Sequence, residues 1–312
     1  MKKIRKYIYL LLIFSYVSFT SCEDFALGEK FLQKPPSGDV TIDTIFSTAE
    51  YARRVLWYAY SKLPYGFSTG YNNSTSMRVG SIESLTDLAQ SYVGYAGADK
   101  LYYPGLYNAG SEDESGGEDH ATKYNMYARD PWKGIRHAWV FINNVDRVPD
   151  MTAEEKLRLK AEAKITIAVQ YSEMLRHYGA LPIVDHAIMP EEMGLPERAT
   201  LQQTVDFITR LLDEAIACKE LPWALPEDDL SNESGRMTGA AAMGLKLRVL
   251  LFVASPLFNS DEPYFPGEAS DKLMTWFGGY SEQRWKDAAK AGEDFFKSWK
   301  QGGFYELVQK ET

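Results

Sequence analysis

Apolar residues recur at helical spacing along most of the chain, and capping signals stand where each run begins. Ser47-Thr48-Ala49-Glu50 has the form of a capping box, in which Ser47 satisfies a free amide and Glu50 reaches back. Ala52, Val55, Leu56 and Ala59 follow on one face, with Pro64 as the stop. Asp130-Pro131 sets an N-cap before a first-turn proline, and Ile135, Ala138, Trp139, Ile142 and Val145 form the next stripe. Thr152 to Glu155 repeats the box, ahead of a long helix with Leu157, Ala161, Ile165, Ala168, Ser172 and Leu175 in register, ending at Gly179. Thr200 with Gln203 opens another helix, with Val205, Ile208, Leu212 and Ala215 inward and Cys218 beside them as a small core residue. A run rich in Ala and Leu from Gly239 to Ala254 is halted at Ser255-Pro256. Ser281 caps the last run, where Trp285, Ala288, Ala289, Gly292, Phe296 and Trp299 share a face. Trp132, Trp139, Trp285 and Trp299 sit on these stripes and read as core. Nothing alternates as a strand, so the pattern predicts an all-α, mostly helical chain.

The periodicity fails in two long stretches. From Tyr65 to Arg129, Gly, Asn, Ser and Tyr dominate, and Ser111–Asp119 is acidic and Gly-rich. From Leu257 to Tyr280, aromatic residues stand among Pro and Gly. Loops of this length inside a compact domain carry function or are disordered, and the tyrosine content argues against disorder throughout. Leu181-Pro182-Ile183-Val184 reads as an extended crossing. Small residues facing large aromatics are what paired helices of a solenoid need for close packing.

The N-terminus has a different pattern. Lys2, Lys3, Arg5 and Lys6 precede an apolar run from Tyr7 to Phe19, which Thr20-Ser21-Cys22 closes. This is the layout of a secretory signal peptide, too short to span a bilayer comfortably. A cysteine at the cleavage point indicates a bacterial lipoprotein signal over residues 1–21, with Cys22 acylated. Ordinary secretion, or an uncleaved anchor with Cys22 incidental, is the alternative. Residues 22–46, with Pro35-Pro36 and two glycines, read as the acylated start and a polar leash, and residues 47–312 as the helical domain.

Composition narrows the partners. Removing the four leader cations takes the formal charge of −9 to −13, which argues against nucleic acid as a partner. Two cysteines, one acylated, leave no disulfide framework and no cysteine metal site. Aromatic residues make up 13% of the chain, with 20 Tyr and 7 Trp, an excess that needs a use.

No nucleophile elbow, phosphate loop or His-Glu-x-x-His is present, and none of His120, His137, His177 and His186 stands at i, i+4 ligand spacing from another. No cofactor and no catalytic residue is assigned. The acidic cluster Glu112-Asp113-Glu114 with Glu118-Asp119 offers oxygen ligands for calcium, but it lacks a calcium-hand pattern and reads as solvated. The loop aromatics are the stronger signal. A sugar presents C–H patches that suit an aromatic face, and hydroxyls that suit Asn, Asp and Arg. Tyr65, Phe67, Tyr71, Asn72 and Asn73, then Tyr92, Tyr95, Tyr102, Tyr103, Tyr107 and Asn108, supply both kinds, with Trp276 and Tyr280 in the later loop. The alternative is that these tyrosines bury against the helices and hold the loops.

Motifs along the whole chain resemble the SusD/RagB family of surface glycan-binding lipoproteins. They are Cys22-Glu23-Asp24-Phe25, Asp39-Val40-Thr41 before Phe46-Ser47-Thr48, Trp132-x-x-Ile135-Arg136 with Asn143-Asn144, and Arg176-His177-Tyr178-Gly179-Ala180-Leu181-Pro182. Arg198-Ala199-Thr200, Leu221-Pro222, Gly235-Arg236-Met237-Thr238 and Ala254-Ser255-Pro256-Leu257 continue the likeness. The resemblance implies tetratricopeptide-like helix pairs, here 48–63 with 131–147, 153–178 with 200–220, and 238–255 with 281–300. It implies an outer-membrane lipoprotein facing the exterior, binding oligosaccharide without catalysis and serving a SusC-like TonB-dependent transporter. It likens Thr86-Asp87 to the family's Asp-containing segment before a sugar-contacting loop. Family members run on past the point where this sequence stops, so a C-terminal portion is expected to be missing. A surface glycoside hydrolase or peptidase, and a peptide-binding or scaffold lipoprotein, are the competing readings.

Overall fold

The computed structural model describes residues 41–63, 86–88, 90, 103–106, 131–188, 192, 194 and 196–305. Contacts divide the chain into two units, Met1–Ile45 and Phe46–Thr312. In the first, Ile42–Ile45 is one helical turn, started by the Thr44 amide donating to Thr41 Oγ1 at 3.2 Å.

The second unit is built on six helices: α1 Ala49–Ser61, α2 Pro131–Asn144, α3 Ala153–Tyr178, α4 Leu201–Ile216, α5 Gly239–Ala254 and α6 Glu282–Gly302. Among the described residues no strand forms; one bridge joins Pro182 and Arg198. The helices pair as α1/α2, α3/α4 and α5/α6. Each pair is antiparallel. Asp150, just past α2, accepts from the Ala49 amide at the start of α1 at 2.6 Å, while Gly134, early in α2, lies against Lys62 at the far end. Lys164 meets Glu214 across α3/α4, and the Cys218 thiol lies 3.6 Å from the Leu157 carbonyl. Asn259 after α5 bonds Ser281 before α6. The first helices of successive pairs run parallel, since Arg53 meets Glu155 at 2.6 Å and Tyr60 meets Glu162 at 2.8 Å, both 102 positions on. Pairs folded back on themselves and stacked with their first helices parallel are the expected tetratricopeptide-like arrangement.

α3 lies at the centre. Leu159, Ile165, Ile167, Tyr171 and Leu175 are buried on several of its sides, and so are Glu162, Thr166, Gln170, Ser172 and Glu173. The polar members are all bonded, as burial requires. Gln170 donates to the Lys62 carbonyl at the end of α1 at 2.6 Å, and Thr166 to the Glu162 carbonyl at 2.9 Å. Glu162, fully buried, accepts from Arg158 at 3.0 Å, Arg236 at 2.6 Å and Tyr60 at 2.8 Å, so one carboxylate joins all three pairs. Burial first, then the Glu162 charge, pushes the Tyr60 phenol well above its ordinary range.

Several expectations are corrected. The first cap is Thr48, whose side chain accepts from the Tyr51 amide, while Glu50 pairs with Arg54; the cap is displaced by one residue and is one-way rather than a box. Thr152 caps α3, but Glu155 is drawn away to Arg53, so the box stays half-formed. Ser281 makes no side-chain cap bond; its own amide donates to Asn259 Oδ1 at 2.7 Å. Leu157 is 51% exposed, and Cys218 is half-buried at the edge of α3/α4 rather than in its core. Phe46, placed on the leash by the sequence, is core and packs 6.5 Å from Phe141. Trp139 is buried as expected, but Trp132 and Trp285 are each 39% exposed and Trp299 is half-buried.

Candidate functional site

The C-terminal turn of α3 and the loop after α5 meet in a cleft. α3 ends because Gly179 adopts φ +74° and its amide turns back to the Leu175 carbonyl at 2.9 Å. A side chain there would be strained, and its Cβ would stand 2.7 Å from the Met274 carbonyl. The close approach lets the next amide, Ala180, donate to that same carbonyl at 2.8 Å. Arg198 supplies the other half of the ending: its guanidinium donates to the Ala180 carbonyl at 2.8 Å and to the Tyr178 carbonyl. Burial pulls the Arg198 pKa below its ordinary value. The Ala199 amide bonds the Leu181 carbonyl, and Thr200 then caps α4 in a full box with Gln203. The spaced pair Arg176–Pro182 and Arg198–Thr200 is thus a mutual brace that aims the last turn of α3 at the loop.

The loop is folded just as locally. Ser270 accepts from the Gly267 amide at 2.9 Å and donates to the Gly267 carbonyl at 2.7 Å, and Trp276 donates its indole N–H to the Ser270 carbonyl at 3.0 Å. The Leu201 amide at the start of α4 donates to the Leu273 carbonyl at 2.8 Å, tying the loop to α4. Leu273 takes φ +56° to do so, a conformation a leucine adopts only at a cost.

Between these walls lies a cleft of about 390 Å³. Arg176, His177 and Tyr178 line one side, Tyr264, Phe265 and Glu268 the other, with Thr275 adjoining. Tyr264 and Phe265 are each 82% exposed, the least covered aromatic side chains among the described residues. Leaving two adjacent rings in water is unfavourable by apolar area alone, and marks a surface kept for contact. Glu268 is held below its ordinary pKa by its hydrogen bond from Lys272, 2.6 Å away.

Of the residues expected to bind ligand, Tyr65, Tyr71, Asn72, Tyr102, Tyr107 and Asn108 lie outside the described residues, as do the lipidation residue Cys22, Phe67, Asn73, Tyr92, Tyr95 and the acidic run Glu112–Asp119. Asp87 is exposed in a turn, and Tyr103 is 43% exposed in another. Trp276 is half-buried beside the cleft with its N–H spent on Ser270, and Tyr280 is 53% exposed. Tyr264, Phe265, His177 and Tyr178 were the residues that pattern reading did not single out for binding. The adjacency of two aromatics between Pro263 and Pro266 was the available signal. Among the described residues, no group of three or more His, Cys, Asp or Glu could hold a metal ion.

Neither protein-family models nor the curated proteins provide a match to the chain. Solved structures do. A SusD-like carbohydrate-binding protein from Bacteroides fragilis aligns with a TM-score of 0.53 at 17% identity, over 82% of this chain and 41% of its own. The fold is SusD-like. A SusD homologue from Bacteroides thetaiotaomicron aligns at TM-score 0.54 and 19% identity over 84% of this chain and 49% of its own. Surface glycan-binding protein A from Bacteroides uniformis gives 0.54 and 18% over 84% and 48%. The chain spans under half the length of these SusD-like structures. The stacked helix pairs around α3 are therefore shared architecture.

Proposed function

We propose that this chain binds oligosaccharide without turning it over, at the outer face of an outer membrane to which acylated Cys22 tethers it. It passes the glycan to a SusC-like TonB-dependent transporter. The observation that carries the reading is the exposed Tyr264–Phe265 pair at the rim of a cleft whose opposite wall is polar. Aromatic faces take the C–H patches of a pyranose, while Arg176, His177 and Tyr178 stand opposite to meet hydroxyls. The carbohydrate-binding and surface glycan-binding descriptions of two proteins with the same fold support it. Binding rather than hydrolysis is favoured because glycosidic cleavage needs two positioned carboxyls, and the described lining has one, Glu268, already paired with Lys272. A leash adds to this arrangement: tethering raises the effective concentration of protein at its transporter, so weak glycan contacts suffice.

The test is a glycan array with the full chain, then titration of the best ligand into Tyr264→Ala/Phe265→Ala. Affinity is expected to fall about tenfold or more with unchanged thermal unfolding, stacking being worth roughly 0.5–1.5 kcal/mol per ring beyond area. Equal binding by the variant, or new reducing ends released from the ligand, overturns the reading.

A further inference from the structure

A second cavity, of about 360 Å³, lies elsewhere on the unit, lined by Trp132, Arg136, Pro182, Val184, Ile188 and Pro196. Among the described residues it shares no lining residue with the aromatic cleft. Its walls are fixed by bonds that the stacking of helix pairs does not by itself require. The Tyr171 hydroxyl donates to the Pro182 carbonyl at 2.9 Å and accepts from the Val184 amide at 2.8 Å, and Trp139 donates its indole N–H to the Val184 carbonyl at 2.9 Å. The Pro182–Arg198 bridge holds the same strap from the other side. Trp132 stands edge-on to the Tyr171 ring, 5.9 Å away at 88°, so its orientation is set from behind while 39% of it stays in water.

Of the six described residues that line it, five are apolar and the sixth is a guanidinium. Arg136 is one helical turn beyond Trp132, on the same face of α2. It is exposed, and no hydrogen bond, ion pair or ring contact engages it among the described residues. The Trp132 indole N–H has no hydrogen-bond partner among them either. An arginine left unpaired beside an aromatic wall, in a chain of net charge −9, contrasts with the arginines around Glu162 and Glu233, which are all paired. The described lining suits a sugar poorly, since its many hydroxyls would lie against Pro, Val and Ile without partners among these residues. An apolar body carrying one carboxylate fits it well. The ring or branched chain covers Trp132 and the prolines, and the carboxylate takes the planar, two-pronged guanidinium.

We propose that this cavity is a binding site for a small apolar monocarboxylate, of the aryl-acid class, distinct from the glycan cleft and independent of whether that cleft binds sugar. The probe is 3-phenylpropionate titrated calorimetrically into the full chain, beside its neutral amide and beside glucuronate, which keeps the carboxylate and lacks the apolar body. The acid is expected to bind, and the amide to bind about tenfold or more weakly, as for loss of a charged hydrogen bond. Arg136→Gln should impose the same loss on the acid and none on the amide; being exposed, Arg136 can be replaced without disturbing the core. Trp132→Ala should weaken acid and amide alike, with circular dichroism confirming the helices. Absence of binding to the unaltered chain, equal affinity for acid and amide, indifference to Arg136→Gln, or glucuronate binding as tightly as the aryl acid would each overturn the proposal.

Discussion

Arg236 reaches Glu162 across 74 residues of chain, with Nη2 2.6 Å from Oε1 and Nε 3.2 Å from Oε2. Glu162 is fully buried and Arg236 partly so, with 15% of its side chain exposed, so the Glu162 charge depends on Arg236 for much of the solvation it has lost. Burial opposes the Arg236 charge, and the hydrogen bond and charge of Glu162 outweigh it, raising its pKa above the ordinary arginine value. Arg236 also holds Glu233 at 2.5 Å, while Arg158 bonds both carboxylates. The cluster fixes the third helix pair to the second and, through Tyr60, to the first. Arg236→Leu strands Glu162 with Arg158 and Tyr60 only. It is expected to cost about 3 kcal/mol in urea unfolding, the lower end for breaking a buried pair. A shift of under 0.5 kcal/mol would show the cluster to be solvated rather than structural.

Gly179→Ala tests the brace at the cleft. Its φ of +74° and the 2.7 Å approach to the Met274 carbonyl leave no room for a methyl group, so the contact with the loop must open. We expect a loss of about 2 kcal/mol, from a strained conformation and a displaced carbonyl. Glycan binding should weaken with it, because Tyr264 and Phe265 belong to the displaced loop. Gly235→Ala is the control: φ is also positive, but nothing lies within 4 Å, so it should cost stability without touching the cleft.

How legible these features were depends on what each helix packs against. α4 could be read directly: Val205, Ile208, Leu212 and Ala215 are all buried, and the Thr200–Gln203 box is complete, because one face meets the core and the other meets water. In α3 the predicted stripe is buried apart from Leu157. A helix surrounded by others is buried beyond one stripe, however, and its buried polar residues, Glu162 and Gln170 above all, were not legible because they find partners more than 70 positions away. In α6 the large aromatics misled. Close approach to α5 requires small residues, so Ala288 and Ala291 are buried and Gly292 lies 3.5 Å (from its ideal Cβ) from Leu247, leaving Trp285 and Phe296 to the flanks. The cleft was legible only as a loop rich in aromatics. Which rings face water depends on Ser270 claiming the Trp276 N–H, a bond that spacing cannot foretell.

His186 provides a pH test. It lies between Glu192 and Asp185, at 2.8 Å from each, and the two carboxylates raise its pKa, Glu192 most. A raised histidine contributes its stabilisation fully below the unfolded value near 6.5 and loses it as pH rises through the folded value. Asp185, lowered by its hydrogen bond from His186, runs the other way, contributing above about 3.8 and losing it as pH falls. The site is exposed, so the effect on global stability is small. By NMR, the His186 ring should titrate above the unperturbed histidine value, and Glu192→Gln should bring its midpoint down. A midpoint unmoved by Glu192→Gln would show that the ion pair does not persist in water.

Asn259 argues the joint between α5 and α6. It is 3% exposed, and its amide is fully used: Nδ2 donates to the carbonyls of Ala254 at 3.3 Å and Ser281 at 3.0 Å, while Oδ1 accepts from the Ser281 amide at 2.7 Å and from Arg284 at 2.8 Å. It thus joins the end of one helix to the residue that precedes the next, whose side chain makes no cap bond. Asn259→Ala leaves several buried groups unpaired and should cost about 2–3 kcal/mol, as an unsatisfied donor or acceptor costs roughly 1–3 kcal/mol each before water relieves part of it. Ser281→Ala, by contrast, should change stability by less than about 0.5 kcal/mol, although the serine occupies the position where a cap is ordinarily worth about 1 kcal/mol. If the order were reversed in chemical unfolding, the serine hydroxyl rather than the Asn259 amide would be the group that starts α6.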